Sequence, residues 1–189
     1  MNIFSDLHNQ ELSNFLDEIL NNYYDKVITE NLSINFNKDG IELINASYKE
    51  AVSISIDFLD EAINNKIKSR LSGKKDIFSK LFPIKNSTLL DCTAGYGRDS
   101  YILRSMGFNV TMIENSPIMS LLLNDALKKL KLLNFKMYHG NSYDYLSHSE
   151  KSYDYIYIDF MFNKLKKNSL SSKNDETLKL VSFLDDREF

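Results

Sequence analysis

Three acidic residues stand where apolar segments of the chain end. Asp91 closes a short apolar run, Glu114 follows the run 108–113, and Asp159 follows the run 153–158. Each run has the length and composition of a buried strand. The carboxyl ends of parallel strands meet at one edge of an open α/β sheet, and ligands bind there. The sequence therefore predicts three carboxylates at one ligand-binding edge, where they can receive cationic groups or sugar hydroxyls.

A glycine turn follows the first of these carboxylates in the pattern Asp91-x-x-x-Gly95-x-Gly97. The two glycines let the backbone approach a ligand closely. A dinucleotide-binding loop has a third glycine at the position that Ser100 occupies here, so a nicotinamide oxidoreductase is the weaker alternative. An acidic residue at the start of the loop suits a ligand with a cationic head. Together with Glu114, the pattern is similar to the S-adenosylmethionine site of class I methyltransferases.

Three longer segments carry a closer resemblance. They are LLDCTAGYGRD at 89–99, VTMIENSP at 110–117 and YIDFMF at 157–162. Together they resemble the ribosomal RNA small subunit methyltransferase J family over residues 31–181. The resemblance implies a class I methyltransferase fold, S-adenosylmethionine as cofactor, and methylation of a guanine exocyclic amine in 16S rRNA. The implied partner is small-subunit rRNA or the assembling small subunit.

Most of the expected cofactor contacts are carried over from this resemblance. The glycine turn and the family pattern together give Asp91, Gly95, Gly97, Arg98, Asp99, Glu114, Asn115, Asn141, Ser142 and Asp159. Ordinary structural roles are the alternatives: helix capping for Arg98 and Asp99, a solvated strand end for Glu114, and turn formation for the pair 141–142. Tyr96 either covers the cofactor or packs locally.

The candidate catalytic residues are Asp159 and Phe162. The lone pair of a guanine amine is delocalised into the ring, so the amine needs hydrogen-bond acceptors before it can attack a methyl group. Asp159 is placed to accept, and an aromatic ring three positions later can stack on the base. Phe160 stands where such families have proline, which stiffens the acceptor loop. A catalytically impaired RNA- or ribosome-binding relic of the same fold is therefore the alternative function.

Composition and charge limit the kinds of partner, metal site and cellular location that the chain can have. A net charge of −3 means that any RNA-binding surface is local, and 43% hydrophobic content is enough for a core. The basic segment Lys66–Lys75 is either a phosphate-contacting loop or a solvated helix end. Cys92 is the single cysteine and the three histidines lack ligand spacing, so we expect no disulfide and no metal. With no membrane-length apolar run and no signal-peptide pattern, a cytoplasmic location is expected.

The predicted fold is α/β, with two parts. Residues 1–82 form a small α+β subdomain, and residues 83–189 form a Rossmann-like methyltransferase core that is incomplete at its C-terminus. The predicted elements are helices at 11–24, 58–67, 76–81, 98–106, 118–133 and 177–184, an antiparallel meander at 32–36, 41–44 and 52–56, and core strands at 89–90, 108–113, 135–139 and 153–158. With only four core strands, the last one is an exposed edge that can drive self-association.

Overall fold

The structure is a computed structural model, and it describes residues 30–71, 77–84, 86–130, 135–159 and 172–182. Several predicted features lie outside these residues. They are the helix at 11–24, residues 72–76 of the basic segment, the C-terminal ends of two helices, and both Phe160 and Phe162.

The first sheet is antiparallel and has the order β1-β2-β3. Its strands are β1 (Leu32–Asn37), β2 (Gly40–Asn45) and β3 (Val52–Ile54). Asn37 pairs with Gly40 across a two-residue turn, and Gly40 has a φ of 128°, a conformation that glycine adopts without strain. The predicted meander is confirmed, although its third strand ends two residues early and Ile56 is buried beyond it.

Two helices follow, α1 (Glu61–Leu71) and α2 (Ile77–Leu81). The predicted start of the first helix at Phe58 is wrong. The carboxylate of Asp60 accepts hydrogen bonds from the N–H groups of Ala62 (2.7 Å) and Ile63 (3.3 Å), so Asp60 caps the helix and fixes its start. Phe58 lies before this cap and its buried ring stacks on Tyr101 at 4.8 Å.

The second sheet is parallel and carries the predicted ligand edge. It consists of β4 (Thr88–Asp91), β5 (Asn109–Glu114), β6 (Lys136–His139) and β7 (Tyr155–Tyr157), in the order β6-β5-β4-β7. All three pairings are parallel. The predicted α/β class and Rossmann-like arrangement are confirmed. Because β4 and β5 are central, their carboxyl ends lie between the other two strand ends.

Four further helices belong to this part: α3 (Arg98–Ser105), α4 (Pro117–Lys129), α5 (Ser142–His148) and α6 (Lys173–Ser182). The Ser116 side chain accepts a hydrogen bond from the N–H of Met119, and Pro117 occupies the first turn, which confirms the predicted start of α4. Helix α5 was not predicted from the sequence, and none of its residues is buried. No helix among the described residues is both long and apolar enough to cross a membrane.

The predicted start of α6 at Thr177 is wrong by one turn. The backbone N–H of Asp175 donates to the hydroxyl of Ser172, and the N–H of Ser172 donates to the carboxylate of Asp175. This reciprocal arrangement is a capping box, which begins the helix at Lys173.

One hydrophobic cluster joins the two sheets. It contains Leu43 and Ile54 from the first sheet, Leu89 and Val110 from the second, and Leu178 from α6. The core therefore crosses the predicted boundary between residues 1–82 and 83–189, and that division stays a prediction.

The strand β7 lies at the edge of the parallel sheet. Among the strands that the structure describes it pairs only with β4, and Ile156 and Ile158 are 51% and 53% exposed. Self-association through this edge stays a prediction.

A buried amide fastens α6 to the first sheet. Asn45 is 1% exposed, its Nδ2 donates to Thr177 Oγ1 at 3.0 Å, and its Oδ1 accepts from the N–H of Ser47. Asn45→Ala leaves the buried Thr177 hydroxyl without this donor, so we expect a loss of about 1 to 3 kcal/mol in the free energy of unfolding. Urea unfolding measures the loss. Asn35→Ala, on the exposed face of β1, is the control and should change stability by less than about 0.5 kcal/mol; equal effects would mean that this contact does not anchor α6.

Candidate functional site

The strand ends of the parallel sheet border a small cavity of about 140 Å³. It is lined by Asp91, Thr93, Ala94, Tyr96, Arg98, Asp99, Tyr157 and Asp159. Four of the predicted site residues are in this set: Asp91, Arg98, Asp99 and Asp159. The cavity lining does not include four predicted residues that lie at the neighbouring strand ends: Glu114, Asn115, Asn141 and Ser142.

Asp91 is the most deeply buried charged residue of the site. Its side chain is 1% exposed at the end of β4. One carboxylate oxygen accepts from the N–H of Thr93 at 3.0 Å, and the other accepts from the hydroxyl of Ser100 at 2.7 Å. Burial raises the pKa of Asp91 to about 6, these two hydrogen bonds oppose the rise, and the charges of Asp99 and Asp159 add to it.

Ser100 explains why the third glycine is missing. It is fully buried on α3, at the position where a dinucleotide-binding loop has glycine, and its hydroxyl binds the carboxylate that opens the loop. The side chain thus connects helix and strand, where a glycine would provide only close packing.

The glycine turn is fixed by packing as well as by backbone conformation. Gly97 has a φ of 67°, and a Cβ placed on it would lie 2.5 Å from Leu123 Cδ1 and 3.1 Å from Phe58 Cζ. Gly95 also has a positive φ, of 50°. The positive φ favours glycine at position 97, and a larger residue would also displace the Leu123 side chain. The predicted approach of Gly97 to a ligand stays a prediction.

Glu114 ties the end of β5 to this turn. Its Oε2 accepts from the N–H of Gly95 at 2.6 Å and its Oε1 accepts from the N–H of Ser116 at 2.8 Å. Burial raises the pKa of Glu114, and the backbone hydrogen bonds oppose the rise. Each carboxylate oxygen has two acceptor positions, so Glu114 keeps the capacity to receive hydroxyl groups. Its neighbour Asn115 is half-buried.

The loop after β6 caps the helix that follows it. The Asn141 side chain accepts from the N–H of Tyr143 at 2.7 Å and caps α5, which agrees with the turn-forming alternative. Ser142 is the first residue of that helix and lies near Cys92. The pKa of the Cys92 thiol is raised, mainly by burial, and the hydrogen bond with Ser142 opposes part of this rise. The predicted cofactor contacts of Asn141 and Ser142 stay predictions.

His139 joins the ends of β5 and β6. Its Nδ1 lies 3.0 Å from Ser120 Oγ and 3.2 Å from the carbonyl oxygen of Glu114. Burial lowers the pKa of His139, so the ring is neutral at physiological pH and supports the backbone around Glu114.

Arg98 brings a positive charge to the cavity wall. Its guanidinium lies 4.8 Å from the centre of the Tyr96 ring. Burial raises the pKa of Tyr96 to about 12, so its hydroxyl stays protonated at physiological pH. The cap of α3 is Gly97, and no side chain forms a capping hydrogen bond there. Asp99 lies in the first turn of α3, and both the predicted cofactor contacts and the helix-capping alternative for Arg98 and Asp99 stay predictions.

A family of putative SAM-dependent methyltransferases matches residues 23–185 of the chain. The chain belongs to that family. Two relatives named ribosomal RNA small subunit methyltransferase J are similar: one from Alteromonas mediterranea is 33% identical over 141 residues, and one from Coxiella burnetii is 32% identical over 157 residues. The alignments cover 69% and 77% of this chain, and only 54% and 61% of the relatives, so the chain spans little more than half of their length.

A solved structure supports the fold. A SAM-dependent methyltransferase from Neisseria gonorrhoeae superposes with a TM-score of 0.55 and 24% identity, over 68% of this chain and 56% of the other. These findings confirm the predicted resemblance and, at the level of the family, the predicted cofactor S-adenosylmethionine. They select the methyltransferase interpretation over the nicotinamide oxidoreductase.

The cavity has a donor set that suits this cofactor. Asp91, Asp99 and Asp159 present carboxylates to the cavity, which suits the cationic methionine end. A volume of about 140 Å³ is below the roughly 300 Å³ of a pocket that holds a whole drug-sized ligand. Glu114 lies beside the glycine turn, where a ribose is received in such folds.

Two polar residues of the cavity wall were not predicted from the sequence. Thr93 accepts a hydrogen bond from the N–H of Asp159 at 2.8 Å, and the hydroxyl of Tyr157 donates to Asp99 at 2.8 Å. Tyr157 could have been identified from the sequence, because strand alternation places it on the same face as Tyr155. No sequence feature beyond its position inside the turn pointed to Thr93.

Asp91 makes stability depend on pH. Because its pKa in the folded chain, about 6, exceeds the ordinary value of 3.8, the folded chain binds the proton more tightly. The resulting stabilisation is fully present below about pH 4 and is lost as the pH rises through about 6. Asp91→Asn is uncharged and keeps an acceptor for Thr93 and a donor for Ser100. We expect it to be about 1 to 3 kcal/mol more stable than the parent chain at neutral pH, and nearly equal to it near pH 4.

Urea unfolding of both proteins at the two pH values checks this expectation. A difference that is the same at both would show that desolvation of the Asp91 carboxylate is not its cause.

Proposed function

We propose that this chain is an S-adenosylmethionine-dependent methyltransferase that acts on the exocyclic N2 amine of a guanosine in small-subunit ribosomal RNA. The observation that carries the proposal is the position of Asp159, at the end of β7 and in the wall of the same cavity as Asp91 and Asp99. The names of the relatives support small-subunit rRNA, or the assembling subunit, as substrate and partner.

The cofactor, when bound, supplies the methyl group. The protein's task is to orient the amine and to increase its nucleophilicity. Asp159 accepts a hydrogen bond from one N–H of the amine, which makes the nitrogen lone pair available for attack. With the cofactor bound, the amine would take its methyl group from the sulfonium sulfur, and Asp159 or water would accept the proton that the amine loses.

The backbone of Asp159 is fixed while its side chain remains accessible. Its N–H donates to Thr93 Oγ1 at 2.8 Å, and its side chain is exposed. Such an acceptor is held in place by the glycine turn and can reach an incoming base. Phe162 lies outside the described residues, and its stacking on the base stays a prediction.

The remaining carboxylates bind the cofactor in this proposal. Glu114 receives the ribose hydroxyls, while Asp91 and Asp99 face the cationic methionine end. Arg98 stands at the cavity wall, where its charge suits a carboxylate group.

Asp159→Ala should lower methyl transfer at least about 100-fold, because the acceptor for the amine is lost. Transfer of labelled methyl groups to unmethylated small-subunit RNA, and to the small subunit itself, measures the effect. Asp144→Ala, which removes an exposed carboxylate from α5, is the control and should retain activity. Full activity of the Asp159 variant would remove this residue from the mechanism.

Glu114→Ala should weaken binding of S-adenosylhomocysteine about 100-fold or more, since the ribose acceptor is lost and the Gly95 N–H loses its partner. Calorimetric titration measures the affinity without requiring the correct RNA. Glu150→Ala, an exposed carboxylate after α5, is the control. Unchanged affinity in the Glu114 variant would place the ribose elsewhere.

One observation favours a second candidate. Phe160 replaces the proline of related acceptor loops, and a relic that binds RNA without methylating it is the alternative. In that case the parent chain binds small-subunit RNA, yet transfers no methyl group to RNA or subunit.

A further inference from the structure

The ring of Tyr157 packs against an aromatic cluster. Phe78 and Phe82 pack against it edge-on, with ring centres 5.8 Å and 6.1 Å away. Tyr155, two residues earlier on the same face of β7, packs in the same way on Phe82 and Phe108. These contacts fix the ring, so the position of the Tyr157 hydroxyl is set by the core and not by solvent.

That hydroxyl lies between two carboxylates from different elements. It donates to Asp99 Oδ2, at the start of α3, at 2.8 Å, and Asp159 Oδ2 is 3.5 Å away, within reach of the same proton. Burial and the hydrogen bond to Asp99 raise the pKa of Tyr157, so the group is a neutral donor at physiological pH. The hydroxyl has one proton, which the two carboxylates share unequally in favour of Asp99, and this shared donor offsets part of their repulsion and limits how far they separate.

The two carboxylates do not depend on Tyr157 equally. Asp99 belongs to the first turn of a helix and is half-buried, whereas Asp159 lies two residues beyond the end of an edge strand and is exposed. Apart from the backbone bond to Thr93, the described contacts of Asp159 are with Tyr157. Loss of the hydroxyl should therefore displace Asp159 more than Asp99.

We propose that Tyr157 is a positioning residue that holds the carboxylate of Asp159 at a fixed distance from Asp99, and so aligns the acceptor of the substrate amine with the cofactor end of the cavity. This inference rests on the proposed function for the role of Asp159. The substrate amine and the methyl group come from two different molecules, so their alignment depends on the separation of these carboxylates. A displacement of about 1 Å in such a constellation can lower the rate about 100-fold.

Tyr157→Phe tests the inference, because it keeps the packed ring and removes only the hydroxyl. Tyr155→Phe is the matched control: it removes a hydroxyl from the same face of the same strand, one that contacts the N–H of Ile84 at 3.4 Å and lies outside the cavity lining. We expect kcat for methyl transfer to fall about 10- to 100-fold in Tyr157→Phe, while the S-adenosylhomocysteine Kd changes less than about threefold. Tyr155→Phe should change neither quantity.

A second measurement does not depend on activity. Amide hydrogen exchange reports whether the Asp159 N–H remains bonded to Thr93. In Tyr157→Phe the protection of this amide should fall about tenfold while the amides of β4 keep theirs; a general loss of stability would lower both. In Tyr155→Phe the Asp159 amide should be unchanged.

The outcomes separate the two proposals. If the parent chain does not methylate small-subunit RNA, the proposed function fails, and the exchange comparison alone decides whether Tyr157 positions Asp159. If Tyr157→Phe matches Tyr155→Phe in both kcat and Asp159 exchange, the inference about Tyr157 is overturned, whatever the activity of the parent chain.

Discussion

The arrangement of the site depends on the carboxylate of Asp91, which is buried at the carboxyl end of the central strand β4. Taking a carboxylate out of water is costly unless hydrogen bonds replace its hydration. Here Thr93 supplies a backbone N–H and Ser100 supplies a hydroxyl, so strand, turn and helix must meet at one point. Every other element of the site is placed relative to that point: β5 and Glu114 on one side, β7 and Asp159 on the other.

Glu114, on the neighbouring strand β5, is likewise a carboxylate whose hydration is replaced by hydrogen bonds from the protein. Its two oxygens take the N–H groups of Gly95 and Ser116, which belong to the glycine turn and to the cap of α4. A turn whose N–H groups are already oriented by a carboxylate loses little conformational freedom when it meets a ligand. Positive φ at Gly97, and the close packing of Leu123 against it, restrict the turn further.

Local signals in the sequence were sufficient for much of this fold. The hairpin at Gly40, the Ser116–Pro117 helix start and the four parallel strands each have a signature of spacing or turn chemistry, and the structure contains all of them. The errors also have local causes: Asp60 caps a helix after Phe58, the Ser172–Asp175 capping box begins α6 early, and α5 buries no residue and so lacks an apolar period. The contact between Tyr157 and Asp99 joins residues 58 positions apart, and only the sheet order brings them together.

The charge distribution connects stability with function. Asp91, Asp99 and Asp159 border one cavity, and the charges of Asp99 and Asp159 raise the pKa of Asp91, which means that the three groups repel one another. This repulsion lowers the stability of the folded chain at neutral pH. A cationic group bound in the cavity offsets this repulsion. Part of the affinity for a cationic ligand therefore arises from carboxylates that destabilise the unliganded fold. Residues that destabilise the fold at the ligand edge are thus the ones that favour a positively charged cofactor over a neutral or anionic one.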